Sequence, residues 1–343
     1  MGTGKKGRAS GRKAGKDSLV SEGFMPDRVL EFRPHHQSTQ IDWQGLIPTA
    51  AWLTAMCEPR RFVELGSYMG DSYCAFCQSI AEQEVSCEAF AVDLWEGDEH
   101  TGAYGPEVYA KLQDYHDPRY AHFSRLMRME FDEAQGSFED GSIDLLHIDG
   151  LHTYDAVKHD YEFWRPKVSE RGVIILHDTM PRERGFGVYK LWEEIESECL
   201  CFNLPFSNGL GIVIADPENG PEQLVKFARL SEAERRPVVL MLKALGDMVV
   251  SQAKSAWRAS ELAKVEKQVG DLTWSINDLR STHRSELLDL LHLVCAEFPG
   301  LAERLEGIEG RIGRLEESGI APSASPAGEA AEIKPAGCDA QSD

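Results

Sequence analysis

The stretch Arg61–Tyr73, with the sequence RFVELGSYMGDSY, decides the fold of this chain. It begins with an apolar run that ends at Leu65, as a buried strand does. Gly66 and Gly70 flank the turn that follows, and a helix can begin after Gly70. Because glycine has no Cβ, its backbone can turn sharply and lie close to a ligand. The stretch predicts a strand, a turn and a helix, although alone it also fits a glycine turn in any α/β protein.

The glycine spacing separates two classes of nucleotide-binding protein. The pattern is E-x-G-x-x-x-G, whereas the loop that cradles a dinucleotide pyrophosphate is G-x-G-x-x-G. A nicotinamide-dependent dehydrogenase is therefore disfavoured. Glu64, at the tip of the strand, has two possible roles: it can hold the turn in place, or accept hydrogen bonds from the ammonium group of a cofactor.

A second strand, Glu88–Leu94, ends in an acidic residue, Asp93. An acidic residue roughly 20–30 positions after such a turn is where a ribose is usually held. A carboxylate can accept hydrogen bonds from both hydroxyls of a ribose, which explains the residue type. We therefore expect Asp93 to bind a ribose, with Leu94 beside it, and the alternative is a plain turn residue at a strand end.

The motif VELGSYMGDS resembles the first nucleotide-binding motif of the Rossmann-like S-adenosylmethionine-dependent methyltransferases. The resemblance implies S-adenosylmethionine as the cofactor, with Tyr68 and Ser72 at its carboxylate end. The predicted cofactor-binding residues are Glu64, Gly66, Ser67, Tyr68, Gly70, Ser72, Asp93 and Leu94.

Alternation of strand and helix predicts the architecture. Buried, β-branched runs separated by helical stretches are typical of a parallel sheet with helices on both faces. We predict an α/β fold: a doubly wound, mostly parallel seven-stranded sheet in a methyltransferase domain over residues 21–218. Strand candidates are Arg61–Leu65, Ala89–Asp93, Phe123–Met127, Ile143–Ile148, Val173–Leu176 and Gly211–Ile214. An amphipathic helix, Trp43–Met56, precedes them, and an inserted loop, Trp95–Arg119, is expected to form part of a pocket or lid.

Charge and composition bound the partners and the location. The net charge of −21 makes nucleic acid an unexpected partner. Residues 1–17 carry six basic side chains against one acidic one, a balance of +5, so residues 1–20 are predicted to be a disordered basic arm. No apolar signal region and no run of about 20 apolar residues is present. Together with scattered cysteines, including the pair Cys74 and Cys77 that we assign to packing, this predicts a cytoplasmic protein without a transmembrane segment.

The region after the sheet contains a heptad pattern. Apolar residues recur at alternating steps of three and four at Leu262, Val265, Val269, Leu272, Ile276 and Leu279. This seam predicts a coiled-coil segment in a helical region over residues 219–318, and through it a homo-oligomer. The seam could instead pack on the core of the same chain. Residues 319–343 are predicted to be a disordered acidic tail.

Ionisable residues follow the fourth and fifth predicted strands. Asp149 ends the strand in IDLLHIDGLHTYDAV, and His177 and Asp178 end the strand in GVIILHDT. In open α/β sheets, the carboxyl ends of the strands form the ligand crevice. A divalent metal there could chelate two adjacent hydroxyls of an acceptor, and would lower the pKa of one of them.

Taken together, VELGSYMGDS, HIDGLHTYDAV and GVIILHDT resemble the metal-dependent O-methyltransferases of small molecules and sugars. The resemblance implies metal ligands at Asp149, His177 and Asp178, and a general base at His152. His177 departs from the pattern, because relatives that bind magnesium usually have aspartate there. Imidazole is a poor ligand for magnesium, so three alternatives stay open: a manganese-like metal, a role of His177 towards the substrate, or no metal.

His152 lies three residues after Asp149 and is predicted to begin the next helix above the same crevice. Histidine titrates near neutral pH, so it can take the proton of an acceptor hydroxyl. Its alternative role is to cap the helix or to bond to other site residues. The predicted function is transfer of a methyl group to a hydroxyl of a small molecule or sugar. The alternative is a non-catalytic cofactor-binding scaffold that acts through its coiled coil.

Overall fold

The computed structural model describes residues 23–98 and 100–297. The strands are β1 (Arg61–Leu65), β2 (Glu88–Asp93), β3 (Gly97–Asp98), β4 (Gly102–Ala103), β5 (Ser124–Arg128), β6 (Ile143–Ile148), β7 (Val168–His177), β8 (Cys201–Leu204) and β9 (Leu210–Ile214). The helices are α1 (Asp27–Glu31), α2 (Ile47–Cys57), α3 (Asp71–Glu82), α4 (Glu107–Tyr120), α5 (Phe131–Gln135), α6 (Tyr154–Trp164), α7 (Val188–Glu198), α8 (Glu222–Arg229) and α9 (Glu232–Glu297). Two 3₁₀ turns, Gln44–Leu46 and Arg165–Lys167, precede α2 and β7.

Seven strands form one sheet in the order β5-β2-β1-β6-β7-β9-β8. The pairs among β5, β2, β1, β6 and β7 are parallel, and β9 runs antiparallel to both of its neighbours. The doubly wound, mostly parallel seven-stranded sheet predicted from the sequence is confirmed. The carboxyl ends of β1, β2, β6 and β7 lie at one edge of the sheet. From β1 the strand order runs outward to β2 and β5, and from β6 it runs outward in the opposite direction. Ligands of open α/β sheets bind at such a point.

Adjacent residues of each strand face opposite sides of the sheet. Phe62 packs in the cluster that contains α2, α3 and α8, whereas Val63 packs in the cluster that contains α6 and α7. The pairs Leu145 and Leu146, and Val173 and Ile174, divide in the same way. A central strand with both faces covered is apolar at most of its positions, which is why these strands could be recognised in the sequence.

The helix predicted at Trp43–Met56 is shorter and more buried than expected. It begins as α2 after the 3₁₀ turn, with Pro48 in its first turn, where proline is favoured. Ten of its eleven residues are buried, so it is not amphipathic. Phe227 of α8 contributes to this burial, because its ring packs on Trp52 of α2 at 5.2 Å.

The chain after the sheet continues its core. Val238, Leu242 and Val249 of α9 are buried with the residues of α2 and α8, so the compact unit of the sheet extends beyond the predicted boundary at residue 218 and ends at Glu261. The second unit begins at Leu262, within α9. The predicted basic arm and acidic tail lie outside the described residues. Within the described residues, no helix is both long and apolar enough to cross a membrane.

The insertion predicted as a loop at Trp95–Arg119 contains regular structure. Its first part is the small hairpin of β3 and β4, and its second part is the four-turn helix α4. Leu112 and His116 of α4 are buried, whereas most of its other residues are exposed or half-buried. This sparse apolar pattern, together with Pro118 inside the helix, explains why the sequence did not indicate a helix.

Candidate active site

A cavity of about 440 Å³ opens at the carboxyl edge of β1, β2, β6 and β7. Both predicted groups of residues contribute to its wall. The lining residues from the predicted cofactor site are Gly66, Ser67, Tyr68, Ser72, Asp93 and Leu94. Those from the predicted chemical site are Asp149, His152, His177 and Asp178. Glu64 and Gly70 do not line it, since Glu64 is fully buried behind the turn and Gly70 faces Leu112 of α4.

The turn after β1 requires glycine at residue 66. Gly66 has φ +85° and donates its N–H to the carbonyl of Val92 at 2.9 Å. A Cβ at this position would lie 2.2 Å from the carbonyl oxygen of Asp149. The turn therefore lies directly against the end of β6, and this close approach joins the two halves of the site.

Of the two roles open to Glu64, the structure supports the first, which is to hold the turn. One carboxylate oxygen accepts the hydroxyl hydrogen of Ser67 at 2.7 Å, and the other lies 2.8 Å from Nδ1 of His147. The Nε2 atom of His147 has no hydrogen-bond partner and lies 4.0 Å from Asp149. His147 is thus a core residue that separates the buried carboxylate of Glu64 from that of Asp149.

Asp93 also braces the turn. Its Oδ2 accepts the backbone N–H groups of Ser67 and Tyr68 at 2.8 and 2.9 Å, and its Oδ1 accepts that of Trp95 at 2.6 Å. Oδ2 already accepts two hydrogen bonds, but Oδ1 accepts only one and keeps a second lone pair, and the side chain lines the cavity. Asp93 can therefore hold the turn and still accept a hydroxyl of a ribose.

At the other end of the cavity, two carboxylates and two imidazoles form one cluster. His177 lies with Nδ1 at 3.1 Å from Asp149 and 3.2 Å from Asp178. His152 lies with Nε2 at 2.9 Å from Asp178 and 3.5 Å from Asp149. Burial opposes charge on all four groups, but the attraction between opposite charges prevails. The pKa values of both aspartates are lowered, that of His177 is raised well above 6.5, and that of His152 is raised to about 9.

The setting of His177 differs from that of a metal ligand. Its Nε2 is 3.1 Å from the carbonyl oxygen of Ser207, so this nitrogen must carry a hydrogen. Its Nδ1 faces two carboxylates and must carry a hydrogen too. The ring is therefore an imidazolium, which has no lone pair to offer a metal. His177 neutralises part of the charge of Asp149 and Asp178 from behind.

A divalent cation fits the front of the same cluster. Among the described residues, donor atoms of Asp149, His152 and Asp178 lie within 4.8 Å of one another. Oδ1 of Asp178 is buried and has no hydrogen-bond partner, although such a group normally has one. Asp178 also has φ +59°, an unusual backbone conformation of a kind that clusters at ligand sites. Two carboxylates with one imidazole suit manganese better than magnesium.

Sequence reasoning missed the side chains that cover His152. Phe186, in the loop after β7, stacks on the imidazole of His152 at 4.7 Å with 7° between the planes. His100, at the tip of the hairpin of β3 and β4, packs against both rings. The histidine in the inserted segment was a visible signal, but nothing in the spacing related it to His152. Of two arginines in the loop, Arg184 lines the cavity and Arg182 pairs with Glu193.

Comparison with known proteins agrees with the sheet and the turn. A family model described as a methyltransferase domain matches residues 63–179, which include the end of β1, the glycine turn, Asp149 and Asp178. The matched segment is about a third of the chain, and the match agrees with the methyltransferase class that the resemblance implied.

The protein y4gI of Sinorhizobium fredii (strain NBRC 101917 / NGR234), described as uncharacterized, is 44% identical over 204 residues. The match covers 59% of this chain and 22% of the relative, so this chain spans about a fifth of that protein's length. The methyltransferase PaMTH1 of Podospora anserina, solved with S-adenosylhomocysteine, is 16% identical; the match covers 62% of this chain and 99% of that one, with a TM-score of 0.39. The O-methyltransferase TomG of Streptomyces achromogenes is 9% identical, with 60% and 92% covered and a TM-score of 0.39.

Proposed function

We propose that this chain is an enzyme that transfers the methyl group of S-adenosylmethionine to a hydroxyl of a small molecule or sugar. One observation carries the proposal: the glycine turn and the cluster of carboxylates and histidines line the same cavity, with Gly66 against the carbonyl of Asp149. A donor held at the turn and an acceptor held at the cluster would therefore be neighbours. Most of the rate acceleration would come from this positioning.

In the proposed reaction, the acceptor oxygen attacks the methyl carbon of the sulfonium as the carbon–sulfur bond breaks. The products are the methyl ether and S-adenosylhomocysteine, and the hydroxyl proton passes to Nε2 of His152. Asp149 and Asp178 would hold a divalent cation. Such a cation would lower the pKa of a bound hydroxyl and offset the negative charge that keeps a proton on His152.

The function is tested with the donor and a panel of acceptors. We expect S-adenosylmethionine and S-adenosylhomocysteine to bind the full chain in a calorimetric titration. Transfer of a labelled methyl group to sugars or other polyhydroxylated molecules should then be detectable in the presence of manganese. Binding without transfer to any acceptor would favour the scaffold alternative, and absence of binding would contradict the proposal.

Replacing Gly66 with alanine is expected to lower the affinity for S-adenosylhomocysteine at least about tenfold, or about 1.4 kcal/mol. The new Cβ would collide with the carbonyl of Asp149, so the turn would have to move away from the donor. Gly102→Ala is the matched control, because Gly102 also has positive φ, +76°, but has open space around it. The control carries a similar backbone strain without the collision. Equal affinities of both variants would contradict the prediction.

We further propose that α9 associates with a second copy of this chain. The seam residues are about half or more exposed, from Val265 at 52% to Leu272 at 64%. Leu290 and Leu293, 64% and 68% exposed, continue the same heptad register. The positions beside the centre of the seam are Gln268, Thr273 and Ser275, which are uncharged. A second copy would therefore meet no repulsion between like charges there.

Replacing Leu272 with glutamate is expected to weaken this self-association at least about tenfold. Burial of a leucine contributes about 1.5–3 kcal/mol, and each copy would lose one. Analytical ultracentrifugation over a range of concentrations measures the dissociation constant. Trp274→Glu is the control, since Trp274 is 70% exposed on the same helix and lies outside the seam. A monomeric wild-type chain, or equal effects of the two substitutions, would contradict the prediction.

A further inference from the structure

The loop after β7, residues 178–187, contains two arginines with different surroundings. The guanidinium of Arg182 lies 3.0 Å from the carboxylate of Glu193 and 4.3 Å from the ring centre of Tyr189. Arg184 is exposed and lines the cavity. In the part of the chain that the structure describes, the guanidinium of Arg184 has no ion pair and no hydrogen bond. Arg182 thus has its partner within the protein, whereas Arg184 is available to a ligand.

The backbone at Arg184 is fixed by the hairpin of β3 and β4. Arg184 has φ +51°, and Gly185 after it has φ +81°; arginine rarely adopts this left-handed conformation. A carbonyl oxygen only accepts, so Nε2 of His100 donates a hydrogen bond to the carbonyl of Arg184 at 3.1 Å. The N–H of Phe186 donates to the carbonyl of Glu183 at 3.0 Å and closes the turn. The inserted segment therefore determines where the side chain of Arg184 leaves the loop.

The guanidinium of Arg184 lies near the cluster of carboxylates and histidines. Its Cζ atom is 5.7 Å from the ring centre of Phe186, and that ring stacks on His152 at 4.7 Å. The acceptor hydroxyl is expected at this cluster. Because only one aromatic ring separates the guanidinium from His152, one small molecule can contact both. Arg184 is therefore placed to bind the acceptor.

Most carboxylates of the cavity already have other partners. Asp71, Asp93 and Asp98 accept hydrogen bonds from backbone N–H groups. Asp149 and Asp178 each contact two imidazoles. Among the described residues that line the cavity, there is no second arginine or lysine. A guanidinium binds a phosphate or a carboxylate through two parallel hydrogen bonds, so this one is suited to an anionic group that arrives with the ligand.

We propose that Arg184 binds an anionic group of the acceptor. The substrate class is then acidic sugars, or other polyhydroxylated molecules that carry a phosphate or a carboxylate. This inference rests on the proposed function, because it names the acceptor of that reaction. The oxyanion would pair with the guanidinium while a hydroxyl of the same molecule lies at the cluster. Arg184 sets the specificity and takes no part in the transfer of the methyl group.

Binding is measured without turnover, by calorimetric titration of the full chain saturated with S-adenosylhomocysteine. The probes are glucose, glucose 6-phosphate and glucuronate, which share a sugar ring and differ in charge. Manganese is left out, so that no anion can bind to it. We expect at least one anionic sugar to bind at least about tenfold more tightly than glucose, because hydrogen bonds to charged groups are the stronger ones. The comparison of the two anionic sugars distinguishes a phosphate from a carboxylate. Binding of neither, or no preference over glucose, would overturn the proposal.

Two variants remove the charge in different ways. Arg184→Gly suits the positive φ, since glycine adopts it without strain, and Arg184→Gln keeps most of the length of the side chain. We expect both to lose the preference for the anionic sugar by about tenfold. The affinity for S-adenosylhomocysteine should stay within about twofold of wild type, because the donor binds elsewhere in the cavity. Arg182→Gln is the matched control, since it changes the net charge equally in the same loop and should keep the preference.

Turnover separates binding from catalysis once an anionic acceptor is methylated. We expect Arg184→Gln to raise KM at least about tenfold and to change kcat less than about threefold, because the oxyanion is bound equally in the ground state and the transition state. An unchanged KM in both Arg184 variants, or an equal effect in Arg182→Gln, would overturn the proposal. The expected binding preference without transfer to any acceptor would contradict the proposed function and leave the anion site standing.

Discussion

Replacing His152 with alanine is expected to lower turnover by about 10²–10⁴-fold, the usual contribution of a positioned general base. Nε2 of His152 lies 2.9 Å from Asp178 and 3.5 Å from Asp149, whereas both nitrogens of His177 are held by Asp149 and by the carbonyl of Ser207. His152 is therefore the base best placed to accept the proton of a hydroxyl held there. S-adenosylmethionine is expected at the glycine turn after β1, at the other end of the cavity from the ring of His152. The affinity for S-adenosylhomocysteine should therefore stay close to that of wild type.

Turnover with labelled donor and calorimetry with S-adenosylhomocysteine provide the measurement. His159→Ala is the matched control, because His159 lies on α6, is exposed, and pairs with Asp132 outside the cavity. A rate within tenfold of wild type would remove His152 from the mechanism. Binding of manganese by His152→Ala separates its two possible roles: retained binding indicates a base, and lost binding indicates a ligand.

The central strands could be predicted from the sequence because their physics is local. β1, β6 and the end of β7 are buried on both faces, so each is mostly apolar, and β6 and β7 are followed by polar residues at the ligand edge. β8 was not among the predicted strands, since its four residues alternate between half-buried and buried. A strand at the sheet edge has only one neighbour and needs less apolar sequence.

The roles of individual side chains depended on contacts that no spacing encodes. The sequence indicated that Glu64 and Asp93 lie at the cofactor site. Their hydrogen-bond partners, Ser67, His147 and Trp95, could be identified only from the structure. The aspartates of the predicted metal site do converge with His152. His177 lies in the same cluster, but as an imidazolium that contacts both carboxylates and not as a metal ligand.

The histidine that follows β7 now has a physical explanation. Asp178 is buried and Asp149 is half-buried. The two carboxylates share the same two histidine partners, and neighbouring carboxylates repel each other. The imidazolium of His177 contacts both of them and lets both stay ionised. A carboxylate at position 177 would add a third negative charge to the cluster. Compared with a carboxylate at position 177, histidine therefore lowers the negative charge that a bound cation would have to balance, and it removes one oxygen ligand.

Replacing Asp178 with asparagine is expected to weaken manganese binding at least about 100-fold, more than the loss of an outer-shell partner usually costs. The change removes a charge but keeps the shape, and asparagine tolerates the positive φ of +59°. The domain should therefore fold normally. Electron paramagnetic resonance of free manganese measures the affinity directly. Asp155→Asn is the control, since Asp155 is exposed in the first turn of α6 and changes the net charge equally. Equal affinities of wild type and Asp178→Asn would show that the unpartnered oxygen of Asp178 does not bind a cation.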